Sequence, residues 1–191
     1  MLQNKELPEF PKIETERLLL RKININDADD IFEYASVPEI TTFLLWETHR
    51  SKSDSLDFIK FADEQFNNKT SIIWGIVIKN GNKLIGTIDI RNWNMIHNCG
   101  EIGYVISKKY WNMGYVSEAM AAVIKYGFKE LLLNRVEAHC EEENIGSWKV
   151  MEKCRMKFEG VLREKVFIKG RFRSMKMYSI LRKEWDKKLS V

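Results

Sequence analysis

Val116, Ala119, Met120, Val123, Ile124, Gly127, Phe128 and Leu131 recur at i, i+3, i+4, i+7, i+8, i+11, i+12 and i+15. That is one unbroken face of an α-helix. A short apolar run precedes it at 99–107 (CGEIGYVIS), and another follows at 135–140 (RVEAHC). Strands joined through a helix of this length cannot form a tight hairpin. They pair in parallel through a crossover. A strand–helix–strand unit over 99–140 is therefore the firmest constraint on the fold.

The flanking segments read differently. Glu16–Ile23 is a short apolar strand. Asn26 to Asp30 opens a helix, with Asn or Asp capping free N–H groups and an acidic first turn suiting the helix dipole; Pro38 follows its end. A second helix spans Ser53 to about Asn67. Ser71–Lys79 and Leu84–Asn92 are strands around Asn80-Gly81-Asn82, a hairpin signal. Gly100 and Gly103 hint at a bulge or a close approach. Asn144 starts a helix running to about Cys154, and strands 158–169 and 173–181 close the chain around Lys169-Gly170. The order β α α β β β α β α β β argues for an α+β mixed sheet, not a doubly wound one.

Composition removes other classes. The chain has 191 residues, 45% of them hydrophobic, enough for a core without metals or disulfides. Cys99, Cys140 and Cys154 lack CxxC or Cys/His spacing, so neither a disulfide framework nor a zinc module is expected, and no metal site is assigned. No apolar stretch reaches the ~20 residues that cross a bilayer. Residues 1–6 form no apolar h-region, and with reduced thiols this places the chain in the cytoplasm. Net charge is +4, with ten Lys/Arg against three Asp/Glu in residues 163–188. Strand alternation spreads these charges, which argues against a nucleic-acid surface.

The junction Tyr110-Trp111-Asn112-Met113-Gly114-Tyr115-Val116-Ser117-Glu118 carries the chemistry. It leads from a strand into the strongest helix. The first N–H groups of that helix point out unpaired, and its dipole makes that end positive. Such an end suits a phosphate. Gly114 permits close approach and Ser117 adds a hydroxyl. Neither a Walker motif nor a Rossmann fingerprint is present.

EIGYVISKKYWNMGYVSEAM (101–120) resembles the acetyl-CoA signature of the GNAT N-acetyltransferase superfamily, and most resembles its RimJ/RimL branch, which acetylates ribosomal-protein N-termini and other amines. Thr15–Arg21 (TERLLLR), Leu84-Ile85-Gly86-Thr87 and Asn144-x-x-Ser147 with Val150 to Lys153 resemble further landmarks in the same order. The resemblance spans about residues 13–182, leaving an arm at 1–12 and a tail at 183–191. It implies a GNAT fold: a central twisted, mostly antiparallel sheet, a splayed parallel pair and about four flanking helices. Departures are Asn112 for Gly, Met113 for Lys, Val116 for Ala or Gly, Arg155 for a helix-ending Gly, and Ser174 for Asp. Asn tolerates left-handed backbone. Val116 brings bulk near the phosphates and Met113 brings no charge, so cofactor affinity is left open. Arg155 predicts a strained or reshaped helix end.

The resemblance also implies roles. Acetyl-CoA is the co-substrate, its pantetheine arm held by main-chain groups of Tyr104, Val105 and Ile106 and by Asn144. Trp111, Asn112, Met113, Gly114, Tyr115, Val116 and Ser117 cradle the pyrophosphate. Ser147 protonates the leaving thiolate, against a reading as only the third residue of a helix capped by Asn144. Glu101 is the chosen base, with Asp89 and Glu137 as competitors. Glu118 reads as a helix-dipole partner, Glu141 to Glu143 as a solvated loop, and Cys140 as core rather than nucleophile. The acceptor site draws on the first two helices, the loop 41–49 and the strand end 89–93, with Trp46, Asp89, Trp93 and His49 as lining. The function implied is acetyl transfer to a protein N-terminal or small primary amine. A CoA-binding sensor without turnover and a ribosome- or nucleic-acid-associated module stand as alternatives. Exposed strand edges allow a homodimer.

Overall fold

The computed structural model describes residues 9–94 and 96–186. The Trp93 side chain lies outside the described residues, as do the ends of the expected arm and tail. Strands β1 (Ile13–Glu14), β2 (Leu18–Lys22), β3 (Ser71–Ile78), β4 (Lys83–Asn94), β5 (Cys99–Ile106), β6 (Arg135–Glu141), β7 (Lys157–Ile168) and β8 (Arg171–Leu181) form one sheet. Its order is β1-β2-β3-β4-β5-β6-β8-β7. Every neighbouring pair is antiparallel except β5 and β6. The helices are α1 (Ala28–Ala35), α2 (Pro38–Thr41), α3 (Lys52–Asn67), α4 (Tyr115–Lys129), α5 (Ile145–Lys153) and α6 (Arg182–Asp186). The four expected helices are α1, α3, α4 and α5; α2 and α6 are short additions. Among the described residues no helix is long and apolar enough to cross a membrane.

Helices cover both faces of the sheet. Ile72, Trp74 and Ile76 of β3 join the core under α4, while Ile73 and Val77 join the core under α1 and α3. A strand buried on both faces reads as a continuous apolar run, which is why β3 shows no alternation. The α4 stripe is buried from Val116 to Phe128. The helix ends at Lys129, two residues before the expected end, but Leu131 still packs against the core; beyond it Leu132 takes a left-handed backbone and Leu133 is buried. Upstream of the core, the indole Nε1 of Trp74 donates to the Pro11 carbonyl at 2.7 Å, and Phe10 packs on Phe66 and Trp74.

Two local expectations change, and a third, strain at Arg155, is met. The first helical turn is a 3-10 turn (Ile25–Asp27) capped by Asn24, and Asp27 is held by Arg21 through two hydrogen bonds of 2.7 and 2.8 Å. Glu141 is not solvated: β6 extends through it, and it is buried 2.6 Å from Arg173. The end of α5 keeps the shape that glycine normally supplies. Met156 N–H donates to the Met151 carbonyl and Arg155 N–H to that of Glu152, a Schellman arrangement, with Arg155 itself left-handed at φ 63°. Arg155→Gly should therefore stabilise the fold. Relief of the left-handed cost exceeds the entropy glycine adds to the unfolded chain by about 0.5–1 kcal/mol. The check is a melting temperature raised by roughly 1–4 °C; an unchanged or lower value counts against it.

Candidate active site

The site begins where β5 and β6 part. They pair only through Cys99–Arg135, Gly100–Val136 and Glu101–Glu137. Beyond this β5 follows β4 and β6 follows β8. The Ser107 N–H donates to the Ile85 carbonyl at 2.8 Å. Antiparallel alternation therefore turns the main-chain groups of Glu101, Gly103 and Val105 toward β4, and those of Ile102, Tyr104 and Ile106 toward the gap. Of the three residues expected to offer main chain, Tyr104 has both groups facing the gap. Val105 faces β4, and the Ile106 carbonyl accepts from the Trp111 indole at 3.1 Å.

At the far end of the gap stands the N-terminus of α4. Asn112 (φ 61°) and Gly114 (φ 79°) are both left-handed, so the turn brings Tyr115, Val116 and Ser117 into the uncapped first turn of α4. No side chain caps it. Val116 is buried in the core under α4, so its bulk points away from the loop. Met113 brings no charge, but Arg17 does. Its Nη1 donates to the Met113 carbonyl at 3.0 Å, and its guanidinium lies 4.4 Å from the centre of the Tyr115 ring. Glu118 holds Arg17 in place, accepting from Arg17 Nε at 2.6 Å, Arg17 N at 2.9 Å and Thr15 Oγ1 at 2.6 Å. Glu118 is thus both a first-turn acid and the tether of β2 to the loop. Arg17 borders the loop, a placement that sequence reasoning missed. It sat in the quoted TERLLLR run, but its partners lie about a hundred positions away.

Midway along the gap, Asn144 Oδ1 accepts from the Ser147 N–H at 3.2 Å and starts α5. The phenol of Tyr104 lies 2.9 Å from Ser147 Oγ and donates to the Ser147 carbonyl at 2.9 Å. Burial raises the Tyr104 pKa, keeping the phenol protonated. Cys140 sits beside this pair; burial pushes its thiol up to about 11, so it is no thiolate at neutral pH.

A cavity of about 200 Å³ joins this pair to the other sheet face. Trp46, Asp89, Tyr104, His139, Asn144 and Ser147 all line it. Asp89 Oδ1 is buried with no hydrogen-bond partner among the described residues. Desolvation raises the Asp89 pKa to about 6; Arg91 opposes the shift and Glu101 adds to it. Gly103 stands opposite Asp89, and a Cβ there would lie 2.6 Å from Arg91 Nη2 and 3.0 Å from Asp89 Oδ1. Glu101 does not line the cavity. It is engaged by Arg91 at 3.1 Å, Asn92 at 3.2 Å and His139 at 3.6 Å. Trp46 packs against His49 with ring centres 5.2 Å apart and the planes tilted by 46°, and His49 Nδ1 lies 2.9 Å from Ser55 Oγ.

A splayed parallel pair flanking a helix with an open, left-handed N-terminal loop defines the class. A family model for the acetyltransferase (GNAT) domain matches residues 17–157, and the chain belongs to that family. One relative, "Uncharacterized N-acetyltransferase p20" of Bacillus licheniformis, is 34% identical over 171 residues, 90% of this chain and 96% of the relative. The crystal structure of a GNAT-family acetyltransferase from Bacillus anthracis matches with a TM-score of 0.81 and 32% identity, over 91% of this chain and 100% of that one. Spermidine N-acetyltransferase from Vibrio cholerae, crystallised with CoA and spermine, shares the fold at a TM-score of 0.76 and 23% identity, over 90% and 99%. The chain is an acyltransferase of a family that uses acetyl-CoA.

Proposed function

We propose that the chain acetylates a primary amine by direct attack on acetyl-CoA in a ternary complex, on the RimJ/RimL side of its family. One observation carries this reading: a buried carboxylate with an unpartnered oxygen and a tyrosine–serine hydroxyl pair face a single cavity at the strand splay. Acetyl-CoA supplies an activated thioester; the rest is the work of this chain. The N–H groups of Tyr115, Val116 and Ser117, with the backbone from Trp111 to Gly114 and the charge of Arg17, hold the pyrophosphate. The main chain of Tyr104 and the side chain of Asn144 hold the arm.

Asp89, rather than Glu101, takes the acceptor's proton. Its pKa near 6 leaves it ionised at pH 7 while close enough to neutrality to act as a base. Glu101, already ion-paired, positions Arg91. As the new C–N bond forms and the C–S bond breaks, Ser147 Oγ delivers a proton to the sulfur and regains one from solvent, while the Tyr104 phenol, kept protonated by burial, holds the serine in place.

The test is a thermal melt with acetyl-CoA, CoA or ATP. Acetyl-CoA at 100 times its dissociation constant adds ~2.7 kcal/mol, or roughly 5–10 °C. A shift with acetyl-CoA and CoA but not ATP is expected; no shift with either would sink the reading.

A further inference from the structure

We infer that the acceptor is a compact amine with one positive charge on an apolar body, and neither a polyamine nor a polypeptide N-terminus. The inference rests on the acetyl-transfer reading above and concerns the walls of the same cavity.

The walls offer one counter-charge. Asp89 is the single carboxylate among the residues lining the cavity, and one of its oxygens is unpartnered. The cation beside it, Arg91, is shared with Glu101. One ammonium is therefore matched. A second would face Phe43, Leu44 and Trp46 of the loop after α2, Phe58 and half-exposed Phe61 of α3, or Ile168 of β7, and the polar residues of the lining, such as Tyr34 and Thr87, carry no negative charge. A charge buried against such groups loses its water and gains no partner. The same walls suit an aliphatic or aromatic body, which gains by leaving water.

The rim also limits length. The turn between β7 and β8, with Lys169 (φ 48°) and Gly170 (φ 81°), reaches across to α2. Lys169 Nζ donates to the Thr41 carbonyl at 2.7 Å. Thr41 Oγ1 lies 2.7 Å from Thr48 Oγ1, and the His49 N–H donates to the Ala35 carbonyl at 3.0 Å. The loop carrying Trp46 is thus tied at both ends, and its outer side is joined to the hairpin that supplies Ile168. A space of about 200 Å³ behind this bridge is below the usual range for larger ligands. It fits one residue-sized body better than a chain that must thread out.

The experiment measures CoA release from acetyl-CoA with four acceptors: 2-phenylethylamine, 3-methylbutylamine, spermidine and an alanine-initiated octapeptide. Either apolar amine should exceed spermidine and the peptide about 100-fold in kcat/KM, the scale on which an apolar pocket rejects an added polar group. Spermidine or the peptide reacting best overturns the inference and leaves acetyl transfer standing. Release with none of the four also overturns it, and the acetyl-CoA melt then judges the transfer reading separately. Phe61→Glu adds a second carboxylate at a half-exposed wall position. It should move the spermidine-to-phenylethylamine ratio at least tenfold toward spermidine. A variant that weakens both equally counts against the charge argument.

Discussion

Asp89→Asn should lower kcat by about 10²- to 10⁴-fold, the usual contribution of a positioned acid or base, while binding of acetyl-CoA is unchanged. Asparagine keeps the shape but cannot accept the proton. The pH dependence separates this from simple disruption. Burial raises the Asp89 pKa, Arg91 on its own strand and the Gly103 N–H on β5 oppose the rise, and Glu101 on β5 adds to it, leaving it at about 6; His139 on β6 lines the same cavity. The carboxylate must be ionised to hold an ammonium and take its proton, so wild-type kcat/KM should rise with pH through about 6, and Asn should flatten that limb.

Stability runs the other way. A carboxyl raised from 3.8 to about 6 in the fold makes the unfolded chain the stronger acid, so wild-type stability falls as pH climbs from about 4 to 6. Asp89→Asn should therefore gain melting temperature relative to wild type between pH 4 and pH 8. If the variant keeps kcat within threefold and the acid limb persists, the base is elsewhere, and Glu101→Gln is the next variant to measure.

Ser147→Ala and Tyr104→Phe form the second large effect. Each should lower kcat about 10²-fold, with little change in KM for acetyl-CoA. Phenylalanine preserves the buried ring, and alanine leaves the Asn144 cap on the Ser147 N–H intact. Because the two hydroxyls are 2.9 Å apart and the phenol positions the serine, the double variant should be little worse than either single one, as for groups that work as a unit. Multiplicative losses would mean that they act separately, and an unchanged Ser147→Ala would remove the serine from the chemistry.

Much of this site could be read along the chain because its parts are local. The left-handed backbone at Asn112 and Gly114, the α4 stripe and the Asn144–Ser147 cap each depend on residues a few positions apart, where helix and turn geometry is set by neighbours. The parallel pairing of β5 with β6 also followed locally, since a helix of known length connects them. The Arg155 position was legible for the same reason: a Schellman end needs a left-handed residue whatever its side chain.

What could not be read depends on which strands and faces meet. Asp89 and Glu101 were equivalent candidates on neighbouring strands; only the packing shows one with an orphan oxygen in the cavity and the other engaged by Arg91, Asn92 and His139. Burial of Glu141 required β8 to bring Arg173 beside it. Val116 changed from a worry about the loop to a core residue because helix phase turns it inward. The sequence by itself determined the longer elements, the parallel crossover and the left-handed, uncapped start of α4, because backbone geometry and apolar periodicity are properties of short stretches. Only the tertiary structure showed the orphan oxygen of Asp89, the place of Arg17 at the loop and the largely apolar walls of the cavity, because desolvation and ion pairing depend on atoms far apart in the chain.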